Sequence, residues 1–250
     1  MFDKTDELLI FGKGFNYSQD GPGNRLVYHL KGCNLHCPWC SNPEGLQSSN
    51  DEKGVPVTDI INEVISCSPM FFDGGGVTFT GGEILCQARA VKSILVELKK
   101  RGIHTAVETN ASLPSFLDIM PYTDFLIADY KHPDAEILKK TTGASLTAVT
   151  ENLRSRALSG KPMLVRTLLV HGFNDSCEDL NRLLDFFVML KSLGNKEYPK
   201  FELLRYHEYG KDKWIKAGLS YKVKNGFISD EKYLEIVKQF KQKGITIINT

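Results

Sequence analysis

Phe125-Leu126-Ile127-Ala128-Asp129 is the most informative stretch for the architecture of this 250-residue chain, because four consecutive apolar residues lead directly to a carboxylate. An unbroken apolar run of this length is expected for a parallel strand that is covered on both faces. Residues that follow such a strand lie at its carboxyl end, where parallel α/β folds bind ligands. The stretch therefore predicts a buried parallel strand, with candidate binding residues at Asp129 and just beyond it.

Similar apolar and β-branched runs on either side predict further strands, and amphipathic patterns between them predict helices. The helical spacing is clear within 91–98, 180–190 and 233–240. Alternating β and α units need right-handed crossovers and give a mostly parallel sheet. We therefore predict an α/β fold, preferably a full or partial β/α barrel, with a doubly wound open sheet as the alternative. The other predicted strands are Leu26–Leu30, Val77–Thr80, Thr105–Glu108, Met163–Val170, Phe201–Leu204 and Ile245–Ile248.

The composition is that of an ordinary globular protein, with 42% hydrophobic residues and a formal net charge of +1. Such a balance gives no field that favours nucleic acid or an anionic membrane, so neither is expected as a partner. Met1–Ile10 carries three acids and only a short apolar run, unlike a signal peptide or a membrane anchor. We expect a cytoplasmic protein whose six cysteines are thiols or metal ligands rather than disulfides.

Three of the cysteines lie within the eight residues from Cys33 to Cys40, directly after a predicted strand. Their spacing lets Cys33, Cys37 and Cys40 converge on one metal centre. An iron–sulfur cluster normally takes four thiolates, so three would leave one iron open to another ligand. The alternative on spacing alone is a zinc site completed by His36 or by a distant cysteine.

A second informative stretch is Gly74–Glu83, in which a predicted strand ends on Gly81-Gly82-Glu83. Glycines at a strand end let a ligand approach the backbone, where carbonyl oxygens can accept hydrogen bonds from a cationic amine. A lone glycine pair is more often a simple turn. Its position one strand after the cysteine loop makes a binding role the stronger interpretation.

Together these stretches resemble the radical S-adenosylmethionine (SAM) superfamily, and further motifs narrow the resemblance to the glycyl-radical-enzyme activating enzymes. The resemblance implies a single-domain partial (β/α)6 TIM-like barrel of the radical SAM type over residues 1–250, with a cluster loop at 32–42. Residues 41–73 contain one cysteine, so one cluster and no ferredoxin-type insert are expected. The further motifs are Asp20-Gly21-Pro22-Gly23, Gly76–Glu83, Asp129-Tyr130-Lys131, Arg166 and Arg205–Lys211, which is followed by Trp214.

The resemblance also implies a role for each matching residue. Two of these roles compete with structural alternatives: Trp39 either stacks on adenine or fills the core, and Arg166 either lies near the cofactor carboxylate or pairs with a structural acid. Glu108 and Thr109 occupy the place of an Asp-Thr pair that binds a monovalent cation, and Asp20 is expected to contact the partner's glycine loop. The remaining implied roles are cluster ligation by Cys33, Cys37 and Cys40, and SAM binding by Gly81, Gly82, Glu83, Asp129, Lys131 and His207.

The implied activity is reductive cleavage of SAM by a 4Fe-4S cluster to a 5'-deoxyadenosyl radical, which takes hydrogen from a glycine Cα of a partner glycyl radical enzyme. Pyruvate formate-lyase is the first candidate partner, and a flavodoxin or ferredoxin would supply the electron. Two other hypotheses stay open at this stage. One is a small-molecule radical SAM enzyme such as a 7-carboxy-7-deazaguanine synthase, and the other is a non-enzymatic, zinc-stabilised binding module.

Overall fold

The structure is a computed structural model that describes residues 7–46, 48 and 52–250. The prediction for Met1–Ile10 therefore falls partly outside the described residues. The chain divides into two compact units. The first contains the described residues of 1–34, 42–109 and 113–127, and the second contains 35–41, 110–112 and 128–250. The prediction of a single domain over residues 1–250 stays a prediction.

Strands and helices alternate along most of the described chain. The strands are β1 (Glu7–Leu8), β2 (Ile10–Tyr17), β3 (Asn24–Leu30), β4 (Val55–Pro56), β5 (Gly76–Gly81), β6 (Thr105–Thr109), β7 (Phe125–Asp129), β8 (Met163–Leu169) and β9 (Lys200–Arg205). The α-helices are α1 (Val57–Ser66), α2 (Ala88–Lys100), α3 (Phe116–Ile119), α4 (Ala135–Thr142), α5 (Leu146–Leu158), α6 (Cys177–Leu193), α7 (Lys211–Lys216) and α8 (Asp230–Gln242). Short 3-10 helices cover Pro43–Gly45, Ser68–Met70, Ile84–Gln87 and Met120–Tyr122.

Seven of the described strands belong to one sheet, in the order β2-β3-β5-β6-β7-β8-β9. β2 is antiparallel to β3, whereas the pairs β3–β5, β5–β6 and β8–β9 are parallel. β1 and β4 form a separate antiparallel pair. The predicted α/β class, with a mostly parallel sheet, is confirmed.

Six of the seven predicted strands are present, with bounds that differ by at most two residues. The prediction of a strand over Ile245–Ile248 is wrong, because this segment makes only one bridge, between Ile247 and Phe201. The segment follows α8 after a turn at Gly244, and it comes into register with β9 only at Ile247. The sequence also did not predict β2, an edge strand with two interior glycines and a largely exposed pattern.

In the first unit, helical apolar faces cover the strands. The predicted face of α2 is buried, and α1 buries Val57, Ile60, Ile61 and Val64 at the matching i, i+3, i+4, i+7 spacing. Tyr28 on β3 stacks on Phe79 of β5, with ring centroids 5.5 Å apart. Burial of each such side chain contributes about 1.5–3 kcal/mol to the stability of the fold. This packing keeps the strand ends that carry the candidate site in place.

In the second unit, several helices begin at a capping side chain that accepts a backbone N–H. These caps are Asp134 for α4, Ser145 for α5, Ser176 for α6 and Ser229 for α8. The apolar face predicted for α6 is buried. Within that core the ring of Phe187 stacks on Phe201 at 4.4 Å and meets Phe240 edge-on at 5.8 Å. Among the described residues, no helix is both long and apolar enough to span a bilayer.

Candidate functional site

The glycine turn after β5 is fastened to the start of the cysteine loop. The amide of Gly82 donates to the Leu30 carbonyl and the amide of Glu83 donates to the Gly32 carbonyl, each at 2.7 Å. A Cβ on Gly82 would lie 2.4 Å from the Gly32 oxygen, which only glycine avoids. Gly81 precedes it with φ of 113°, a value that also favours glycine. The predicted glycine pair is therefore required by backbone contact and conformation.

Glu83 is 1% exposed and fixes the turn that follows. Its Oε1 accepts a hydrogen bond from the amide of Leu85 at 2.9 Å, and Glu83 thereby caps the short helix Ile84–Gln87. The same oxygen accepts the hydroxyl of Thr109 at 2.6 Å. Glu83 thus links the ends of β5 and β6 from a buried position.

The two residues expected to bind a cation both make hydrogen bonds inside the first unit. Thr109 donates to Glu83, as described, and the Glu108 carboxylate accepts the hydroxyl of Thr80 at 2.6 Å. Because the side chain of glutamate is one methylene longer than that of aspartate, the Glu108 carboxylate on β6 reaches Thr80 on the neighbouring strand β5. The cation role of Glu108 and Thr109 remains a prediction.

The turn Asp20–Gly23 is held by a buried arginine. Arg25 donates from Nη1 to the Pro22 carbonyl at 2.9 Å and from Nε to the Thr78 hydroxyl at 2.7 Å. That hydroxyl donates in turn to the Asp20 carbonyl at 2.7 Å. Burial lowers the pKa of Arg25 to about 10, so the guanidinium is still charged at neutral pH. The Asp20 side chain accepts from Asn16 at 2.5 Å.

The rest of the cysteine loop, residues 35–41, is anchored within the second unit. The amide of His36 donates to the Thr142 carbonyl at 3.0 Å, and the amide of Cys40 closes a turn onto the Cys37 carbonyl at 3.1 Å. Trp39 is buried against Phe173, with ring centroids 4.5 Å apart. This is the contact expected of a core-filling aromatic, the structural alternative for Trp39.

Burial raises the pKa of the Cys37 thiol, and the positive charge of Lys131 opposes that rise. Lys131 lies just after β7, and its Nζ donates to Asp129 Oδ2 at 2.8 Å. The two residues predicted to bind the cofactor thus form an ion pair at the carboxyl end of this strand. Lys131 is also the nearby cation that favours the thiolate of Cys37, which is the form that ligates iron.

Arg166 is paired with a buried acid, as in its structural alternative. Its Nε donates to Glu202 Oε2 at 2.6 Å, and the two residues stand opposite each other on the parallel strands β8 and β9. Glu202 is 1% exposed. The side chain of Arg166 therefore neutralises a structural carboxylate.

His207 is half-buried and follows β9. Its ring stacks on Tyr209 at 4.1 Å, and burial lowers its pKa. The neutral imidazole is therefore favoured at pH 7, which suits a hydrogen-bonding ligand rather than a cation.

One contact to the cysteine loop could not be assigned from the sequence. The indole Nε1 of Trp214, on α7, donates to the carbonyl of Cys40 at 2.8 Å. Gly210 packs against the same carbonyl, since a Cβ there would lie 2.3 Å from the oxygen. The only sequence signal was that Trp214 follows the family-specific stretch Arg205–Lys211.

Comparison with known proteins identifies the family. The model for the Radical SAM superfamily matches residues 27–187, more than half of the chain. A pyruvate formate-lyase-activating enzyme of Staphylococcus aureus strain USA300 is 32% identical over 230 residues, which are 88% of this chain and 90% of that protein. The chain belongs to the radical SAM superfamily. This radical SAM protein is an enzyme that uses SAM and a 4Fe-4S cluster, so the zinc-stabilised module is set aside.

Solved structures agree with this family. A domain of a pyruvate-formate lyase-activating enzyme from Bacteroides vulgatus has 25% identity and a TM-score of 0.56, and the match covers 70% of this chain and 98% of that one. Streptococcus suis SuiB, bound to the precursor peptide SuiA, has a TM-score of 0.66 at 17% identity, covering 88% of this chain and 46% of that one. The second likeness concerns the fold alone. Both support the α/β fold of the radical SAM type.

The residues of this radical SAM enzyme fit an iron–sulfur cluster by their donor chemistry. Three thiols stand within eight residues, and no disulfide links any of the six cysteines, all of which are described. In the described part of the chain, no group of three or more His, Cys, Asp or Glu side chains surrounds a single ion position. The fit therefore rests on thiol chemistry, on Lys131 beside Cys37 and on the glycine turn fastened to the loop.

Proposed function

We propose that this radical SAM enzyme is an activase that installs a glycyl radical in a partner enzyme. The observation that carries the proposal is the match with the Staphylococcus aureus pyruvate formate-lyase-activating enzyme, because it extends over nearly the full length of both chains. A match confined to the cluster loop would support only the shared chemistry of the superfamily. The stretch Arg205–Lys211, beyond the residues matched by the superfamily model, adds support.

Cys33, Cys37 and Cys40 are the proposed cluster ligands. The cation at Lys131 supports this role, since its charge opposes the rise in the pKa of Cys37 that burial and Asp129 cause, although the pKa stays raised overall. When bound, the cluster supplies the single electron that cleaves SAM and generates the 5'-deoxyadenosyl radical that takes hydrogen from a glycine Cα. The chain needs no general acid or base for this reaction, and its task is to bind, orient and exclude water.

The proposed SAM-binding residues are placed at strand ends. The carbonyls of Gly81 and Gly82 would accept from the methionine amine, in keeping with the use of the neighbouring amides inside the chain. Lys131 and Asp129 would contact the methionyl and ribose groups, and the neutral His207 would donate or accept a single hydrogen bond. The pairing of Arg166 with Glu202 favours an indirect role for Arg166, through the shape of the β8–β9 strand ends. Trp39 serves as packing for the loop.

The proposed partner is a glycyl radical enzyme, with pyruvate formate-lyase as the first candidate. Asp20 is the proposed contact for the partner's glycine loop, and the buried Arg25 keeps its turn in one conformation. A flavodoxin or ferredoxin is the proposed electron donor. The six unlinked thiols support action in the reducing cytoplasm, where such a cluster persists.

The decisive experiment mixes anaerobically reconstituted protein, dithionite and SAM with pyruvate formate-lyase and other glycyl radical enzymes. The expected result is an electron-spin signal of a glycyl radical in one partner, with about one 5'-deoxyadenosine released per radical. Cys37→Ala should abolish both, whereas Cys177→Ala, at the exposed start of α6, should retain both. Release of 5'-deoxyadenosine only with a small-molecule substrate would instead support the deazaguanine-synthase type of activity.

A further inference from the structure

Helix α7 and the residue before it contact a proposed cluster ligand at the carbonyl of Cys40. Trp214 donates its indole N–H to that oxygen at 2.8 Å. The backbone of Gly210 lies against it so closely that an added Cβ would stand 2.3 Å away. A side-chain donor and a backbone surface thus act on one atom, and we call Gly210 and Trp214 the α7 clamp.

The clamp is itself held in place. The amide of Trp214 donates to the Gly210 carbonyl at 3.0 Å, and the Trp214 carbonyl accepts from Leu219 at 2.9 Å. The indole meets the ring of Tyr221 edge-on at 6.0 Å, and the Tyr221 hydroxyl lies 2.7 Å from that of Tyr206. Tyr206 is buried where the chain leaves β9. The indole therefore has a defined position relative to this strand end.

We propose that Trp214 is a positioning residue that fixes the peptide plane of Cys40 and so directs the Cys40 sulfur toward the cluster. The Cα–Cβ bond of a residue follows the orientation of its backbone, and a locked carbonyl leaves the side chain fewer directions. Hydrogen bonds from outside the ligand set commonly orient metal ligands and raise metal affinity. The inference rests on the proposed ligand role of Cys40.

The clamp sits on an element that can open locally. Helix α7 spans six residues and buries no residue fully, so its opening costs less than that of the core. Opening would release the Cys40 carbonyl while the rest of the unit stays folded. The rate at which the cluster is lost should therefore depend on Trp214.

The test compares holoenzyme variants under anaerobic conditions. Trp214→Phe keeps an aromatic ring and removes the N–H donor. Ile215→Ala, at a neighbouring side chain that is 64% exposed, is the matched control on the same helix. We expect Trp214→Phe to lose iron to a chelator about five-fold faster than wild type, the factor that corresponds to about 1 kcal/mol for one hydrogen bond. Its reduced cluster should also show a changed electron-spin spectrum, and Ile215→Ala should match wild type in both measurements.

A second variant approaches the same atom from the backbone. Gly210 has φ of −83° and ψ of −15°, which alanine tolerates, so Gly210→Ala acts through its contacts with the Cys40 carbonyl and the adjoining Cα of Ser41. Gly210→Ala should also lose iron faster than wild type. If Trp214→Phe does not fold, Gly210→Ala tests the proposal by itself. The proposal is overturned if both variants lose iron at the wild-type rate, or if Ile215→Ala loses it as fast as they do. Retention of the cluster by Cys40→Ala would instead overturn the ligand assignment itself.

Discussion

At the scale of single residues, Lys131 acts on two other residues of the candidate site, Asp129 and Cys37. Its ammonium group is paired with Asp129 at 2.8 Å and acts on Cys37 by lowering the pKa of a thiol that burial raises. In its proposed role this one side chain would serve both cofactors: it favours the thiolate form for the cluster, and it would offer a hydrogen-bond donor to SAM. The two roles can be measured separately, because iron content reports on the cluster and SAM titration reports on SAM binding.

Lys131→Ala is expected to weaken SAM binding at least ten-fold, because a charged hydrogen bond contributes about 1.5–3 kcal/mol. Iron content and visible absorbance should stay near the wild-type level. The measurement is SAM titration of the reconstituted protein by calorimetry. Lys139→Ala, at an exposed lysine of α4, is the control and should bind SAM like wild type. An unchanged SAM affinity in Lys131→Ala would remove this residue from the binding site.

At the scale of elements, Asp175 joins α8 to the loop between β8 and α6, the loop that carries Phe173 against Trp39. Its carboxylate is 6% exposed and accepts from Lys232 at 2.5 Å, from the His171 ring at 2.8 Å and from the Gly172 amide at 2.8 Å. Burial alone would raise the pKa of Asp175, but these three partners lower it below its usual value. The ionised form therefore stabilises the folded state.

Because the folded-state pKa of Asp175 is depressed, its stabilisation is complete above about pH 4 and is lost as the pH falls through the folded-state pKa. Asp175→Asn should lower the free energy of unfolding at pH 7 by about 1–3 kcal/mol and should flatten its decline below pH 4. Urea unfolding of the cluster-free chain, followed by circular dichroism at several pH values, measures both. Asp185→Asn, at an exposed position of α6, is the control. Parallel pH curves for wild type and Asp175→Asn would contradict the assignment.

The elements differ in how far the sequence predicts them. The strand Phe125–Asp129 is predicted with its observed bounds because burial on both faces demands a continuous apolar run. The edge strand β2 has no buried residue, so its sequence needs no continuous apolar run, and its two glycines are untypical of a strand. The cysteine loop and the glycine turn are readable because each is local in sequence. The Arg166–Glu202 and Trp214–Cys40 contacts join residues far apart in the chain, so they become visible only in the fold.

At the scale of the whole molecule, the proposed function requires a second protein to change shape. The target glycine would be buried in its own enzyme, and a radical generated near SAM must meet it without solvent. The partner's glycine loop must therefore leave its fold, and the activase would bind this minor open state and increase its population.

We expect hydrogen exchange in the partner's glycine loop to become faster when the activase and SAM are added. Mass spectrometry of the partner measures this change, and amides far from the loop serve as the internal reference. Exchange that is the same with and without the activase would count against selection of an open state. Asp20→Asn should reduce the effect, since Asp20 is the proposed contact for the loop.

The pair of amide bonds from Gly82 and Glu83 to Leu30 and Gly32 has a consequence for protein engineering. Two segments that lie about fifty positions apart in the sequence are joined by backbone hydrogen bonds, and the space between them is too small for a methyl group. In a chimera that combines a foreign cysteine loop with the native glycine turn, the backbones of the two segments would not fit against each other. Designers who exchange such loops between scaffolds should transplant both segments as one cassette.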